Sequence, residues 1–176
     1  MQTSTKYVLL DTETTGISKS DEVIELGIID TDGNALYDGL FLPSVSINPK
    51  AEAVHGITLN DLIDAPLFKD EWQTIYNILK DKDILIYNAP FDVRMLNQTC
   101  LAYDLPPLID EEKAHCIMRG YAKYNGQINP KTGQYKWIKL EDALENHGVG
   151  VIQTHRAVDD CLMTLALLRK IGKKIW

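Results

Sequence analysis

The sequence is poor in cysteine, has no long hydrophobic run and carries no excess of positive charge. Its three cysteines, Cys100, Cys116 and Cys161, lie far apart without metal-ligand spacing, so we expect reduced, buried thiols. No apolar run approaches the roughly 18 residues that a membrane helix needs. The first six residues also lack the apolar core of a secretory signal. We therefore expect a cytoplasmic protein without a membrane segment.

The formal net charge is −7, with 25 acidic side chains against 18 basic ones. Because basic patches normally supply affinity for phosphate backbones, this balance excludes tight non-specific binding to long duplexes. The apolar content of 45% and charged content of 24% are ordinary for a globular protein. A length of 176 residues is sufficient for a sizeable core, and we expect a single domain over residues 1–176.

The hydrophobic pattern alternates between strand-like and helix-like segments. It predicts strands at 7–12, 23–31, 35–42, 84–87 and 114–118, and helices at 59–63, 68–80, 90–103, 140–147 and 156–171. A tight turn at Asp32 and Gly33 joins the second and third strands. Three strands followed by alternating helices and strands indicate an α/β protein.

Two acidic residues follow the apolar run of residues 7–10. In an extended chain, the spacing of Asp11 and Glu13 places both side chains on one face. Three small residues come next, Thr14, Thr15 and Gly16. Small residues allow a ligand to approach the backbone closely. The pair predicts either a catalytic strand end or two solvated acids.

A second acid follows the apolar run of residues 84–87. Asn88 and Pro90 interrupt this run and open a helix, because proline suits a first helical position. Asp92 then falls in the first turn, where the helix dipole favours an acid. It is either a functional carboxylate or simply a helix-start acid.

The third segment places His155 immediately before the last predicted helix and Asp160 within it. Asp160 shares its helix face with the apolar residues Ala157 and Leu167, and an acid there is costly unless it is paired or binds a metal. Asp159 points about 100° away and is expected to be solvated.

Four carboxylates and an imidazole are the groups that a two-metal phosphodiesterase needs. Hard divalent cations prefer oxygen ligands, which carboxylates supply together with negative charge. Two such ions about 3.5–4 Å apart can stabilise the attacking and leaving oxygens of a phosphate displacement. Histidine, with a reference pKa of about 6.5, can accept the proton of the attacking water near neutral pH.

The motifs resemble those of the DEDDh group of 3′–5′ exonucleases, which includes the epsilon proofreading subunit of bacterial replicative polymerase. Asp-x-Glu-Thr-Thr-Gly, Asn-x-x-Phe-Asp and His-x-Ala-x-x-Asp appear in the family's order between residues 11 and 160. A Val-His-Gly-Ile-Thr segment at residues 54–58 resembles the epsilon-like branch.

The resemblance implies an RNase H-like fold, with a mixed five-stranded sheet flanked by helices. It implies two divalent ions, Mg²⁺ or Mn²⁺, and release of 5′-mononucleotides from a 3′ end, with single-stranded DNA as the favoured substrate and a DNA polymerase as a further partner. The implied metal ligands are Asp11, Glu13, Asp92 and Asp160, with His155 as the general base. The implied substrate-binding residues are Thr14, Thr15, Gly16, Val54, His55, Asn88 and Phe91.

Three other functions stay open at this point. The same chemistry could act on RNA, because no residue decides whether a 2′-hydroxyl is accepted. A non-catalytic module that docks on a polymerase would not need all five residues of the set. A metal-dependent phosphatase acting on mononucleotides is the third alternative.

The turn-rich segment 125–136 lies between two groups of basic and aromatic residues. These groups are Lys113, Arg119, Tyr121, Lys123 and Tyr124 before it, and Tyr135, Lys136, Trp137 and Lys139 at its end. Stacking aromatics and lysines could bind a single strand. The favoured interpretation is that Tyr124 and Trp137 anchor the loop to the core. His147 is expected in the last turn of a helix, not as a ligand.

Overall fold

The computed structural model describes residues 6–150 and 154–172. The strands are β1 (Tyr7–Thr14), β2 (Val23–Asp30), β3 (Ala35–Leu40), β4 (Asp83–Ile86) and β5 (Ala114–Cys116). The helices are α1 (Pro49–His55), α2 (Leu59–Leu62), α3 (Phe68–Leu79), α4 (Ala89–Ala102), α5 (Ile117–Asn125), α6 (Leu140–Glu145) and α7 (Ala157–Ile171). Within the described ranges, no helix combines the length and hydrophobicity of a membrane span.

The strands form one mixed sheet in the order β3-β2-β1-β4-β5. β1 is central, pairing antiparallel with β2 and parallel with β4, and β5 extends the parallel half. This five-stranded sheet flanked by helices confirms the predicted RNase H-like fold.

Side chains of β1 alternate between two hydrophobic cores. Val8 and Leu10 pack in the core formed with α3 and α4, whereas Leu9 packs in the core formed with α5, α6 and α7. Because side chains two residues apart share a face, Asp11 and Glu13 continue the face of Leu9, toward α7. The alternation of side chains along β1 thus points Asp11 and Glu13 toward α7, the helix that carries Asp160.

Two helices were missing from the predictions. α1 begins at Pro49, where the Asn48 side chain accepts a hydrogen bond from the Lys50 N–H, and ends at Gly56 with φ of 70°. α5 occupies the end of the predicted strand 114–118, because the chain becomes helical at Ile117. The buried residues of α5, Ile117, Met118, Tyr121 and Ala122, follow helical spacing. This signal was available in the sequence.

Of the two residues predicted to anchor the loop, Trp137 does not do so, whereas Tyr124 packs its ring against that of the buried Tyr121 at a centroid distance of 6.1 Å. Trp137 is 63% exposed and Tyr124 is 45% exposed, whereas the neighbouring Tyr121 is fully buried and holds this end of the loop. The loop itself closes through an antiparallel bridge between Ile128 and Tyr135. Binding of a nucleic acid strand by this loop stays a prediction.

His147 lies just beyond α6, which ends at Glu145, two residues earlier than predicted. Its ring contacts the rings of Tyr121 and Tyr124 at centroid distances of 5.8 and 6.1 Å. The residue therefore contributes to aromatic packing at the start of the loop.

Candidate active site

Three carboxylates converge where β1 meets the first turn of α7. Oxygen atoms of Asp11, Glu13 and Asp160 lie within 4.8 Å of one another. α7 reaches this position because it packs directly on Gly27 of β2, where a Cβ atom would lie only 2.6 Å from the backbone carbon of Ala157. The absence of a side chain at residue 27 therefore allows the helix to bring Asp160 to the strand.

The fourth carboxylate belongs to the first turn of α4. Asp92 is buried, and its Oδ1 accepts hydrogen bonds from the Thr12 N–H at 3.1 Å and the Thr12 hydroxyl at 2.8 Å. The negative charge of Asp92 also raises the pKa of Asp11, second only to the effect of burial. Thr12 points to the opposite face of β1 from Asp11. Its hydrogen bonds orient the Asp92 carboxylate, which interacts electrostatically with Asp11.

Burial and mutual repulsion raise the pKa of every carboxyl group in this cluster. Desolvation is the largest cause in each case, and it raises the pKa of Glu13 to about 9, of Asp92 to about 7 and of Asp160 to about 6. The pKa of Asp11 lies well above its usual range for the same reason, with the neighbouring acids contributing. Without a cation, the cluster therefore holds protons at neutral pH.

The donor set fits hard divalent cations. All four groups offer carboxylate oxygens, the ligands that Mg²⁺ and Mn²⁺ prefer. Asp160 Oδ1 is buried and makes no hydrogen bond in the structure. Because an unpaired buried acceptor is costly, this orphaned oxygen indicates a bound cation as its partner.

His155 lies at the edge of the same cluster, in the segment before α7. It is partly exposed, and its backbone adopts a left-handed conformation with φ of 47°. Beyond the effects of burial, an electrostatic interaction with His155 lowers the pKa of Asp160 and of His55, so the two histidines and Asp160 are neighbours. The structure thus brings together all five residues of the three motifs.

A cavity of about 420 Å³ opens beside Glu13. Five of the seven predicted substrate-binding residues line it, namely Thr14, Gly16, Val54, His55 and Phe91, together with Ile17, Lys50 and others. A larger cavity of about 590 Å³ runs along α4 between Arg94 and Arg119 and contains none of the four carboxylates.

Thr15 and Asn88, the other two predicted substrate-binding residues, do not line the smaller cavity. Thr15 is fully buried, and its hydroxyl donates to Asp21 at 2.9 Å and accepts from the Glu22 N–H at 3.0 Å. The register of β1 and β2 shifts between Glu13 and Thr14, where Ile24 of β2 is skipped, and Thr15 follows in the loop that these contacts hold. Asn88 is half-buried at the residue preceding α4.

His55 presents a buried ring to the cavity. Its Nδ1 accepts the Ile57 N–H at 2.9 Å, which leaves the proton of the neutral ring on Nε2. Burial lowers the pKa of His55. The Thr14 carbonyl lies near Nε2 and partly opposes this shift, although the contact does not have ordinary hydrogen-bond geometry. Nε2 is itself buried and its neighbouring acceptor is the Thr14 carbonyl, so the His55 ring forms part of the cavity wall.

Sequence reasoning missed Glu25, a residue of β2 that pairs across the sheet with Glu13. Glu25 is 1% exposed and forms an ion pair with Arg156 at 2.6 Å. Its signal was an acid in the otherwise apolar run Val-Ile-Glu-Leu-Gly-Ile-Ile, because a buried charge needs a partner.

The sequence model of the RNase_T family, described as Exonuclease, matches residues 8–168. The chain belongs to the RNase_T exonuclease family. This assignment agrees with the motif resemblance, and the protein is a DEDDh-type 3′–5′ exonuclease, a hydrolase of phosphodiester bonds.

Relatives in this family match either nearly the whole chain or about half of it. Uncharacterized exonuclease CP81 of Escherichia phage 186 is 36% identical over 171 residues, which span 94% of this chain and 88% of that protein. The DNA polymerase III subunit epsilon of Buchnera aphidicola, subspecies Acyrthosiphon pisum, is 37% identical over 103 residues, covering 53% of this chain and 44% of the subunit. Among solved structures, Exonuclease X in complex with 5′ overhanging duplex DNA superimposes with a TM-score of 0.68 at 26% identity, covering 92% of this chain and 88% of that one.

Proposed function

We propose that this exonuclease removes nucleotides one at a time from the 3′ ends of single-stranded DNA by two-metal hydrolysis. The convergence of four carboxylates from β1, α4 and α7 beside one histidine carries this proposal. A module that only docks on a partner has no need of such a cluster, whose buried like charges cost stability.

In this proposal Asp11 would contribute to both ion sites, since its carboxylate lies close to those of Glu13 and Asp160 and interacts electrostatically with Asp92. Glu13, Asp92 and Asp160 complete the ligand set. When bound, Mg²⁺ or Mn²⁺ supplies Lewis-acid stabilisation of the phosphate and of the leaving 3′ oxygen. The carboxylates lose their protons as the ions bind, because cation charge reverses the local electrostatics.

His155 acts as the general base in this proposal. It neighbours Asp160 but is not part of the group of three close ligand atoms, and it is partly exposed. A neutral imidazole there can accept the proton of the water that attacks the terminal phosphate. Replacing His155 by alanine should lower kcat about 10²–10⁴-fold. Manganese affinity should be retained, because His155 supplies no metal ligand.

The cavity beside Glu13 is the proposed site of the terminal nucleotide. Val54 and Phe91 offer apolar surface for base stacking, and the His55 ring lies in the wall beside them. Stacking requires an unpaired base, and fraying a duplex end costs roughly 1–2 kcal/mol per step. Single strands should therefore be preferred over recessed 3′ ends of the kind that Exonuclease X binds, with little preference among the four bases.

A DNA polymerase stays a proposed partner. The support is that the Buchnera relative is named as a subunit of DNA polymerase III. The aligned region spans 44% of that subunit.

The proposed substrate is tested with 5′-labelled single-stranded DNA, single-stranded RNA and duplex DNA with a recessed 3′ end, each with Mg²⁺. We expect a ladder that shortens from the 3′ end, fastest on single-stranded DNA and stalled by a 3′ phosphorothioate. Faster digestion of RNA would assign the chain to exoribonucleases. Immediate release of the label as a mononucleotide, or digestion of a circular strand, would contradict attack from the 3′ end.

A further inference from the structure

An ion pair between a buried carboxylate and a half-exposed guanidinium joins the sheet to the segment that carries His155. Glu25 Oε1 accepts a hydrogen bond from Arg156 Nε at 2.7 Å and lies 2.6 Å from Nη2 of the same guanidinium. The Glu25 side chain is almost completely buried, whereas that of Arg156 is 47% exposed. Removing one partner of such a pair leaves a buried charge without compensation, so the contact holds both groups firmly.

Glu25 also caps α7 from another strand. Its second oxygen, Oε2, accepts the backbone N–H of Ala157, the first residue of the helix, at 3.1 Å. The preceding residue, Arg156, provides no side-chain cap of its own. A carboxylate at the N-terminus of a 15-residue helix interacts favourably with its dipole. The Glu25 carboxylate thus binds both the Arg156 side chain and the first N–H group of α7.

His155 is adjacent to this fixed point and has an unusual backbone. Its φ of 47° is uncommon for a residue other than glycine and persists only where the surroundings impose it. On the other side of His155, the Thr154 hydroxyl donates a hydrogen bond to Asp159. The flanking residues are therefore both held, and the direction of the imidazole depends on these contacts.

We propose that Glu25 and Arg156 form a positioning pair that holds the His155 imidazole at the carboxylate cluster. Glu25 lies across the sheet from Glu13, but its side-chain hydrogen bonds go to Arg156 and to the Ala157 N–H, so the pair acts through the backbone of residues 155–157. The proposal rests on the proposed role of His155 as general base. A displacement of about 1 Å at a catalytic group can cost about 100-fold in rate.

The experiment is a double-mutant cycle between Glu25→Gln and His155→Ala on single-stranded DNA with Mn²⁺. Glu25→Gln alone should lower kcat about 10–100-fold, with KM and manganese affinity changed less than about 3-fold. In the His155→Ala background, the same substitution should change kcat by less than about 2-fold, because the group that it positions is absent. Arg156→Gln should give the same pattern, and Arg156→Lys should restore part of the rate.

Glu22→Gln is the matched control, since Glu22 is another buried glutamate near the start of β2, bonded to the Ser44 N–H at 2.9 Å and away from the segment before α7. It should lower thermal stability without lowering kcat. Equal losses from Glu25→Gln in both backgrounds, or loss of manganese binding, would overturn the positioning role. If His155→Ala itself kept the wild-type kcat, the proposed general base would fail instead, and the two failures are distinguishable.

Discussion

The carboxylate cluster should destabilise the protein when no cation is bound, and Glu13 provides the clearest test. Burial raises its pKa from 4.5 to about 9, so the folded chain holds a proton that the unfolded chain releases. Below pH 4.5 both states are protonated and the residue has no effect on stability. As the pH rises from 4.5 toward 9, the free energy of unfolding should fall, because ionisation favours the unfolded state.

The magnitude follows from the same two values. Each pH unit between them corresponds to about 1.4 kcal/mol. At pH 7, the interval above 4.5 is 2.5 units, which gives a cost of up to about 3 kcal/mol for keeping Glu13 protonated. Glu13→Gln mimics the protonated form and removes this cost. For a chain of this length, the gain corresponds to a Tm increase of roughly 10 °C.

The assay is urea unfolding of the wild type and of Glu13→Gln in excess chelator, at pH 4.5 and at pH 7. We expect similar stabilities at pH 4.5 and a more stable variant at pH 7. Adding Mn²⁺ should stabilise the wild type and leave the variant almost unchanged, because binding to the folded state is lost with the ligand. Glu145→Gln, at an exposed site on α6, should show no such difference.

A Glu13→Gln protein that is equally stable or less stable than the wild type at pH 7 would refute this reasoning. The same is true of a stabilisation that is independent of pH. Either result would mean that Glu13 is solvated and ionised in the metal-free fold, contrary to its burial against Asp160 and Glu25.

Three further results are expected. Gly27→Ala should displace α7 and abolish both turnover and manganese binding, measured by kinetics and calorimetry, since its Cβ would overlap the helix backbone; unchanged activity would contradict this packing. Thr12→Val should weaken manganese affinity, because Asp92 loses a buried hydrogen bond worth about 1–3 kcal/mol; calorimetry of the variant is the check. Asp160→Asn should remove nearly all turnover in a single-turnover assay while Asp159→Asn keeps most of it, and a reversed order would place the wrong acid at the metal.

Local patterns in the sequence predicted the strands of the sheet and singled out the acids, and the resemblance of the three motifs to a family selected the five motif residues. Strand alternation places Asp11 and Glu13 on one face, and a mostly apolar helix face makes Asp160 conspicuous. These inferences depend only on neighbours within a few residues. The predicted family and fold are confirmed, whereas the roles of the individual site residues stay predictions.

Contacts between distant segments could not be predicted in the same way. Glu25 and Arg156 are separated by 131 residues, and only the folded sheet shows that they pair. The burial of Thr15 accompanies the contacts of its hydroxyl with Asp21 and Glu22, which simple alternation does not reveal. α5 was missed for a different reason, since a short apolar run suits a strand and a buried helix equally.

Hydrolysis in H₂¹⁸O of a single-stranded DNA with a free 3′ end, followed by mass analysis of the first products, tests the central claim most directly. The account predicts that each released 5′-mononucleotide carries one ¹⁸O on its phosphate, because water attacks phosphorus and the 3′ oxygen leaves. The shortened strand should carry an unlabelled 3′ hydroxyl, and Asp11→Asn should release nothing. Release of 3′-mononucleotides, or of 5′-mononucleotides without ¹⁸O, would contradict the account.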